Sequence, residues 1–157
     1  PTPAKPPRPA RRPAQTYAPA QLPSAPRPQM RLLGNIACGS PIYAEENFDN
    51  TIELDPHLFS RGGEECYALR VRGTSMIGDG IMPGDIVVVR PQKTAEDGEL
   101  IAAMIDGSAT VKRYEKRKGL IYLVPSNPDM EPIVIHPEDN ADFQILGSIR
   151  GVLRIYQ

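Results

Sequence analysis

Leu100-Ile101-Ala102-Ala103-Met104-Ile105-Asp106-Gly107-Ser108-Ala109-Thr110-Val111-Lys112-Arg113-Tyr114 is the stretch on which the fold turns. Two proline-free runs flank Asp106-Gly107-Ser108, a good hairpin turn because Asp and Gly tolerate the backbone that a tight reversal requires. In the second run Thr110, Lys112 and Tyr114 share one face of a strand and Val111 and Arg113 the other. Upstream, Ile86-Val87-Val88-Val89 is a continuous β-branched run, the pattern of a strand buried on both faces. Residues 66–72 alternate as a half-buried strand, with Tyr67, Leu69 and Val71 on one face, and Gly73 ends it. Downstream, Leu120–Val124, Ile133–Ile135 and 145–156 read as strands, the last interrupted near Gly147 or Gly151. Pro-Gly, Asp-Gly and Asn-Pro pairs lie between them. A helical turn is expected at 55–59. The class is all-β (mostly β).

Composition divides the 157 residues in two. Residues 1–31 hold ten of the 18 prolines, six Lys or Arg and no acid, while residues 32–157 hold 12 basic residues and all 19 acids. The near-zero net charge of −1 thus hides a basic segment joined to an acidic domain. The first segment has too little apolar content to offset the entropy of ordering, so 1–31 reads as a disordered, Pro/Arg-rich linker and 32–157 as the folded domain. The chain begins without Met, and we expect a preceding domain upstream of it. No apolar h-region marks a signal peptide, and no apolar run is long enough to suggest a membrane span. Two cysteines, Cys38 and Cys66, suit a reducing cytoplasm and leave open a single disulfide between them. Both cysteines with His57 and His136 have no recognised metal-ligand spacing, and no metal or cofactor is expected.

Ser75 follows a strand inside a glycine-rich connection, with Gly73 before it and Gly78 and Gly80 after. Such a turn can present a hydroxyl outward and bare the backbone N–H groups around it as an oxyanion hole. A serine in such a loop commonly does no more than cap the turn. A nucleophilic serine also needs a base. His57 and His136 sit in contexts typical of surface turns, which disfavours a Ser-His-Asp arrangement. A lysine aimed at an apolar cleft loses solvation, its pKa falls, and the neutral amine can take a hydroxyl proton. Lys112 fits that description; the alternative is a surface lysine snorkelling from a strand.

In order along the chain stand Arg70-Val71-Arg72-Gly73-Thr74-Ser75-Met76, Gly80-Ile81-Met82-Pro83-Gly84-Asp85, the valine-rich run, Ile105-Asp106-Gly107 and Thr110-Val111-Lys112-Arg113. Pro125-Ser126-Asn127-Pro128 and Ile145-Leu146-Gly147 follow. This series resembles the LexA/UmuD-type self-cleaving peptidases across roughly residues 32–157. The resemblance implies a compact, mostly β domain that dimerises, with Ser75 as nucleophile, Lys112 as general base and the Thr74 and Ser75 backbone N–H groups as oxyanion donors. It also implies a scissile bond between a small residue and glycine upstream of the site, which here maps onto Cys38-Gly39. Small residues there permit close backbone approach, and Ile36 and Ile42 flank the bond as apolar anchors. Cys38 as a metal ligand, as a nucleophile or as a plain structural cysteine is the competing idea.

The function so implied is the self-cleaving regulatory domain of a LexA-type repressor of the SOS DNA-damage response. Its activator would be a RecA filament on single-stranded DNA, and it would be a homodimer reaching operator DNA through an N-terminal helix-turn-helix domain absent from this chain. A UmuD-like subunit of a mutagenic polymerase is the alternative within the same chemistry. A non-cleaving dimerisation module, and a DNA-binding role for the basic 1–31 segment, are alternatives of other classes.

Overall fold

The computed structural model describes residues 1–14, 27–34, 41–60, 64–138 and 142–156. Residues 1–14 are exposed and carry no helix or strand. Among the described residues the first strand starts at Met30, so the compositional boundary after residue 31 falls inside it. The strands are β1 (Met30–Leu33), β2 (Phe48–Ile52), β3 (Tyr67–Arg70), β4 (Ile86–Pro91), β5 (Leu100–Ile105), β6 (Ser108–Arg117), β7 (Leu120–Val124), β8 (Ile133–Ile135) and β9 (Phe143–Leu153). They form one sheet in the order β2-β1-β3-β4-β9-β5-β6-β7-β8. Every neighbouring pair is antiparallel except β1 and β3. The all-β expectation holds.

The β5–β6 hairpin closes through Asp106 and Gly107 with φ of 47° and 80°, the double positive φ of a two-residue reversal. The valine run is β4, with Val87 and Val89 in a central apolar cluster and Ile86 and Val88 in a second cluster on the opposite face. In β5, Ala102 and Met104 enter the central cluster while Ile101 and Ala103 enter a third. The two halves of the sheet therefore each contribute one face to a shared core.

Four details depart from the sequence reading. The strand at β3 is buried on both faces rather than one, because Cys66 and Ala68 pack into the second cluster while Tyr67, Leu69 and Val71 enter the central one. Cys66 there is a free thiol whose pKa is pushed up by burial. The last strand is not interrupted. It runs through both glycines, and the register against β5 and β4 slips beside each of them, the signature of bulges at Leu146 and Arg150. Residues 56–59 form turns without a helix, the His57 N–H bonding to Asp55 Oδ1. Short 3₁₀ turns occur instead at Glu45–Asn47 and Ile77–Asp79.

Candidate active site

The chain from Val71 to Asp85 is a loop closed at its base. Val71 N–H donates to Asp85 O at 2.8 Å, and Gly84 N–H donates to Val71 O at 2.9 Å. Within it Met76 and Ile81 are almost fully buried in the central cluster, and Ile81 N–H donates to Met76 O. Ser75 is thus adjacent to a residue pinned in the core, which is what fixes a loop serine in place. Gly80, at φ 78°, provides the left-handed step that ends the 3₁₀ turn.

Lys112 arrives from β6. Its Cα is paired with that of Ile101, and Thr110 is paired with Ala103, so the shared face expected for Thr110 and Lys112 points over small and apolar side chains of β5. Lys112 is 5% exposed. Its Nζ donates to Ser75 Oγ at 3.0 Å and to Thr110 Oγ1 at 2.6 Å. Burial alone pulls its pKa below the ordinary lysine value, with no carboxylate opposing that effect. The lysine is not a snorkelling surface residue. Among the described residues, neither the Thr74 nor the Ser75 N–H donates to a protein acceptor, so both stand free beside the hydroxyl. His57 and His136 are exposed.

A cleft of about 330 Å³ is lined by Leu33, Gly34, Leu69, Arg70, Arg72 and the hairpin tip at Gly107, Ser108 and Ala109. It shares Leu69, Arg70, Arg72 and Ala109 with a pit of about 20 Å³ that is lined also by Ser75 and Thr110. Cys38 and Gly39 lie outside the described residues, as does Ile36. The flanks of that segment are described. Gly34, which lines the cleft, donates its N–H to Asn47 O. On the far side, buried Asn47 donates from Nδ2 to the Pro41 and Ile42 carbonyls, and Ile42 packs on the central cluster.

Sequence reading brought Ser75 and Lys112 forward but gave no part to Thr110, although a residue two positions before the lysine shares its face of the strand. Nor did it give one to Asn127, whose side chain reaches the Thr74 carbonyl from 53 positions away. No periodicity reports such a contact. No helix among the described residues is long and apolar enough to cross a membrane.

A mostly β domain that buries a lysine against a loop serine invites comparison with peptidases, and the chain belongs to the Peptidase S24-like family, whose profile matches residues 31–150. It is 44% identical over 126 residues to the LexA repressor of Anaeromyxobacter dehalogenans (strain 2CP-1), covering 80% of this chain and 55% of that one. It is 47% identical over 129 residues to the LexA repressor of Syntrophotalea carbinolica, covering 82% of this chain and 61% of that one. With the LexA repressor of Carboxydothermus hydrogenoformans it shares 41% identity over 141 residues, 88% of this chain and 64% of that one. The chain therefore spans between about half and two thirds of the length of these curated relatives. The LexA-type domain expected from the ordered motifs is the domain found.

Proposed function

We propose that this chain is the self-cleaving regulatory domain of a LexA-type repressor and that Ser75 and Lys112 cut the Cys38-Gly39 bond. The observation that carries the reading is the 3.0 Å contact between Lys112 Nζ and Ser75 Oγ in a buried setting that favours the neutral amine. In the reactive state the proton runs the other way along that contact. Neutral Lys112 accepts the Ser75 hydroxyl proton, and Oγ attacks the Cys38 carbonyl carbon. The Thr74 and Ser75 N–H groups bind the resulting oxyanion. The lysine ammonium returns its proton to the Gly39 nitrogen as the C–N bond breaks, leaving Cys38 esterified to Ser75. A water deprotonated by Lys112 then hydrolyses the ester and frees the serine. Thr110 Oγ1 accepts one amine hydrogen and so restricts rotation of the amine, and turning the lone pair rather than the second hydrogen toward Ser75 makes it the base.

Tethering the scissile segment to the site makes the reaction intramolecular, so control must lie in docking of that segment. In the whole protein we assign three partners on the strength of the relatives' naming as repressors and of the family resemblance. They are operator DNA held by a helix-turn-helix domain outside this chain, a second copy of the protein, and a RecA filament on single-stranded DNA that favours docking. Cleavage would separate the DNA-binding part from the dimerising part, and two half-sites would no longer be held together.

Incubating the chain at alkaline pH and weighing the fragments tests the chemistry. A cut at Cys38-Gly39 that disappears in both Ser75→Ala and Lys112→Ala is expected. Retention of the cut in either variant would falsify the dyad.

A further inference from the structure

The two peptide units on either side of the Ser75 Cα are both held from outside the loop, by the adjacent residues Ser126 and Asn127 of the 125–128 segment. Asn127 Nδ2 donates to Thr74 O at 3.0 Å, and Ser126 N–H donates to Ser75 O at 2.7 Å. The contact is returned when Gly78 N–H donates to Ser126 O at 2.7 Å. The fit is close: a Cβ added at Gly78 would lie 2.6 Å from that carbonyl oxygen. Ser126 Oγ also donates to Asp79 Oδ1 at 3.1 Å, and Asp79 Oδ2 takes the Arg113 guanidinium at 2.8 Å. Arg113 neighbours Lys112 in β6, and its Cα partner is Val124 of β7, the residue that leads into 125–128. The strand pair that carries Lys112 therefore also carries the loop that grips Ser75.

We propose that Asn127 is a positioning residue for the reaction, orienting the Thr74–Ser75 peptide so that its N–H faces the oxyanion. This rests on the reading of Ser75 as nucleophile. A trans peptide is planar, with its C=O and N–H directed to opposite sides. Anchoring the Thr74 carbonyl on Asn127 turns the Ser75 N–H away from the 125–128 loop and holds it there. The Ser126 bond fixes the following peptide, so the Ser75 Cα–Cβ direction is set from both ends. The exposed Arg113–Asp79 pair adds alignment rather than strength, because ion pairs at that exposure contribute little.

Asn127 does two separable jobs. Its Oδ1 accepts from Asp129 N–H at 2.9 Å and caps its own turn, while its Nδ2 reaches Thr74. Asn127→Asp keeps the cap and loses the donor; Asn127→Gln keeps a donor on a longer arm and weakens the cap. Both variants of the full chain are to be followed by self-cleavage at alkaline pH and by labelling of Ser75 with a fluorophosphonate. In that labelling a Ser75 Oγ–P bond forms, fluoride leaves, and the hydroxyl proton passes to Lys112. Labelling needs the nucleophile and the oxyanion donors but not docking of the Cys38-Gly39 segment.

We expect Asn127→Asp to be roughly 10- to 100-fold slower in both assays, including on the alkaline plateau, with its melting temperature near wild type. Asn127→Gln should fall between that variant and wild type. Rates for Asn127→Asp equal to wild type overturn the proposal, as does the reverse order of the two variants, which would give the side chain to the turn cap alone. A deficit that vanishes on the alkaline plateau also overturns it, since the new carboxylate would then be acting on the lysine charge. A wild-type chain that is neither cut nor labelled removes the nucleophile reading and this proposal with it. An active wild type with an unaffected Asn127→Asp removes this proposal alone.

Discussion

At Lys112 the fold makes an ammonium costly and offers hydroxyls in return. Its contacts are Ser75 Oγ and Thr110 Oγ1, both neutral, so burial is the dominant influence on its protonation. Cleavage should therefore accelerate by about tenfold per pH unit while the amine is mostly protonated and level off below the ordinary lysine value of about 10.4. A rate that is flat between neutral and alkaline pH would remove Lys112 as the base. The same shift has a sign for stability. Between the folded pKa and about 10.4 the unfolded chain binds more protons, so stability rises with pH there and is lost as pH falls through the folded value. Lys112→Met, close in shape and without charge, should melt above wild type at neutral pH, with the gap narrowing toward pH ~10.4. Thermal melts of the two proteins across that range check it. Thr110→Val keeps the strand's shape and removes the group that orients the amine; we expect cleavage roughly tenfold slower, read by fragment mass against time.

Among the elements, β9 lies between β4 and β5 with a bulge against each. Its two glycines differ. A Cβ at Gly147 would lie 2.2 Å from the Arg90 backbone carbonyl, whereas one at Gly151 would lie 3.0 Å from the edge of the Phe59 ring, a side chain that can shift. Gly147→Ala should cost about 1–3 kcal/mol, as overpacking does, and Gly151→Ala well under that. Equal midpoints in urea would contradict this account of the bulges. From the sequence, Gly147 and Gly151 read as breaks, because a glycine in an apolar run signals either a bulge or an end and only the neighbouring strands decide which. The valine run and the β5–β6 hairpin were legible since apolar runs and an Asp-Gly reversal report local structure directly. Strands β1 and β2 were not. The first has four residues and follows prolines, and β2, Phe-Asp-Asn-Thr-Ile, is a largely exposed edge with little apolar pattern. The approach of Ser75 to Lys112 was legible through the ordered motifs of the family, not through spacing, because they lie 37 positions apart. The hold of 125–128 on Ser75 was invisible for the same reason, although those four residues stood among the motifs.

At the scale of the whole molecule, the segment at and just after the end of β9 is the surface on which we expect self-association to be decided. Val152, Ile155 and Tyr156 are 46%, 66% and 84% exposed, three large apolar side chains close together in sequence and open to solvent. This run is not a loose tail. Arg154 donates from Nε and Nη2 to the buried Asp85 carboxylate and from Nη2 to Gly80 O, and Asp85 Oδ2 also accepts the Met82 N–H. The Arg154 contact holds the Asp85 carboxyl below its ordinary range despite burial. An apolar strip on a fixed backbone is suited to an isologous contact, in which the same patch serves both partners. We therefore expect a homodimer in solution through this strip. Ile155→Lys, which places a charge at the centre of it without touching the core, should shift the chain to monomer at concentrations where wild type is dimeric, by sedimentation velocity. Asp85→Asn should weaken the dimer as well, because it frees the arginine that sets the strip. The depressed Asp85 pKa adds a direction: the anchor is intact above the ordinary carboxylate value of about 3.9 and is lost as pH falls through the folded value. Wild type should therefore weaken on acidification through this contact, while Asp85→Asn, with no carboxyl to protonate, is already weakened at neutral pH and lacks that step. Ser75 and Lys112 take no part in the strip, and Ile155→Lys should accordingly cut itself at the wild-type rate at alkaline pH. A monomeric wild type would dismiss the strip as an interface. A dimer that survives Ile155→Lys would move the interface elsewhere on the sheet, and slowed cleavage in that variant would mean that the site depends on the second copy.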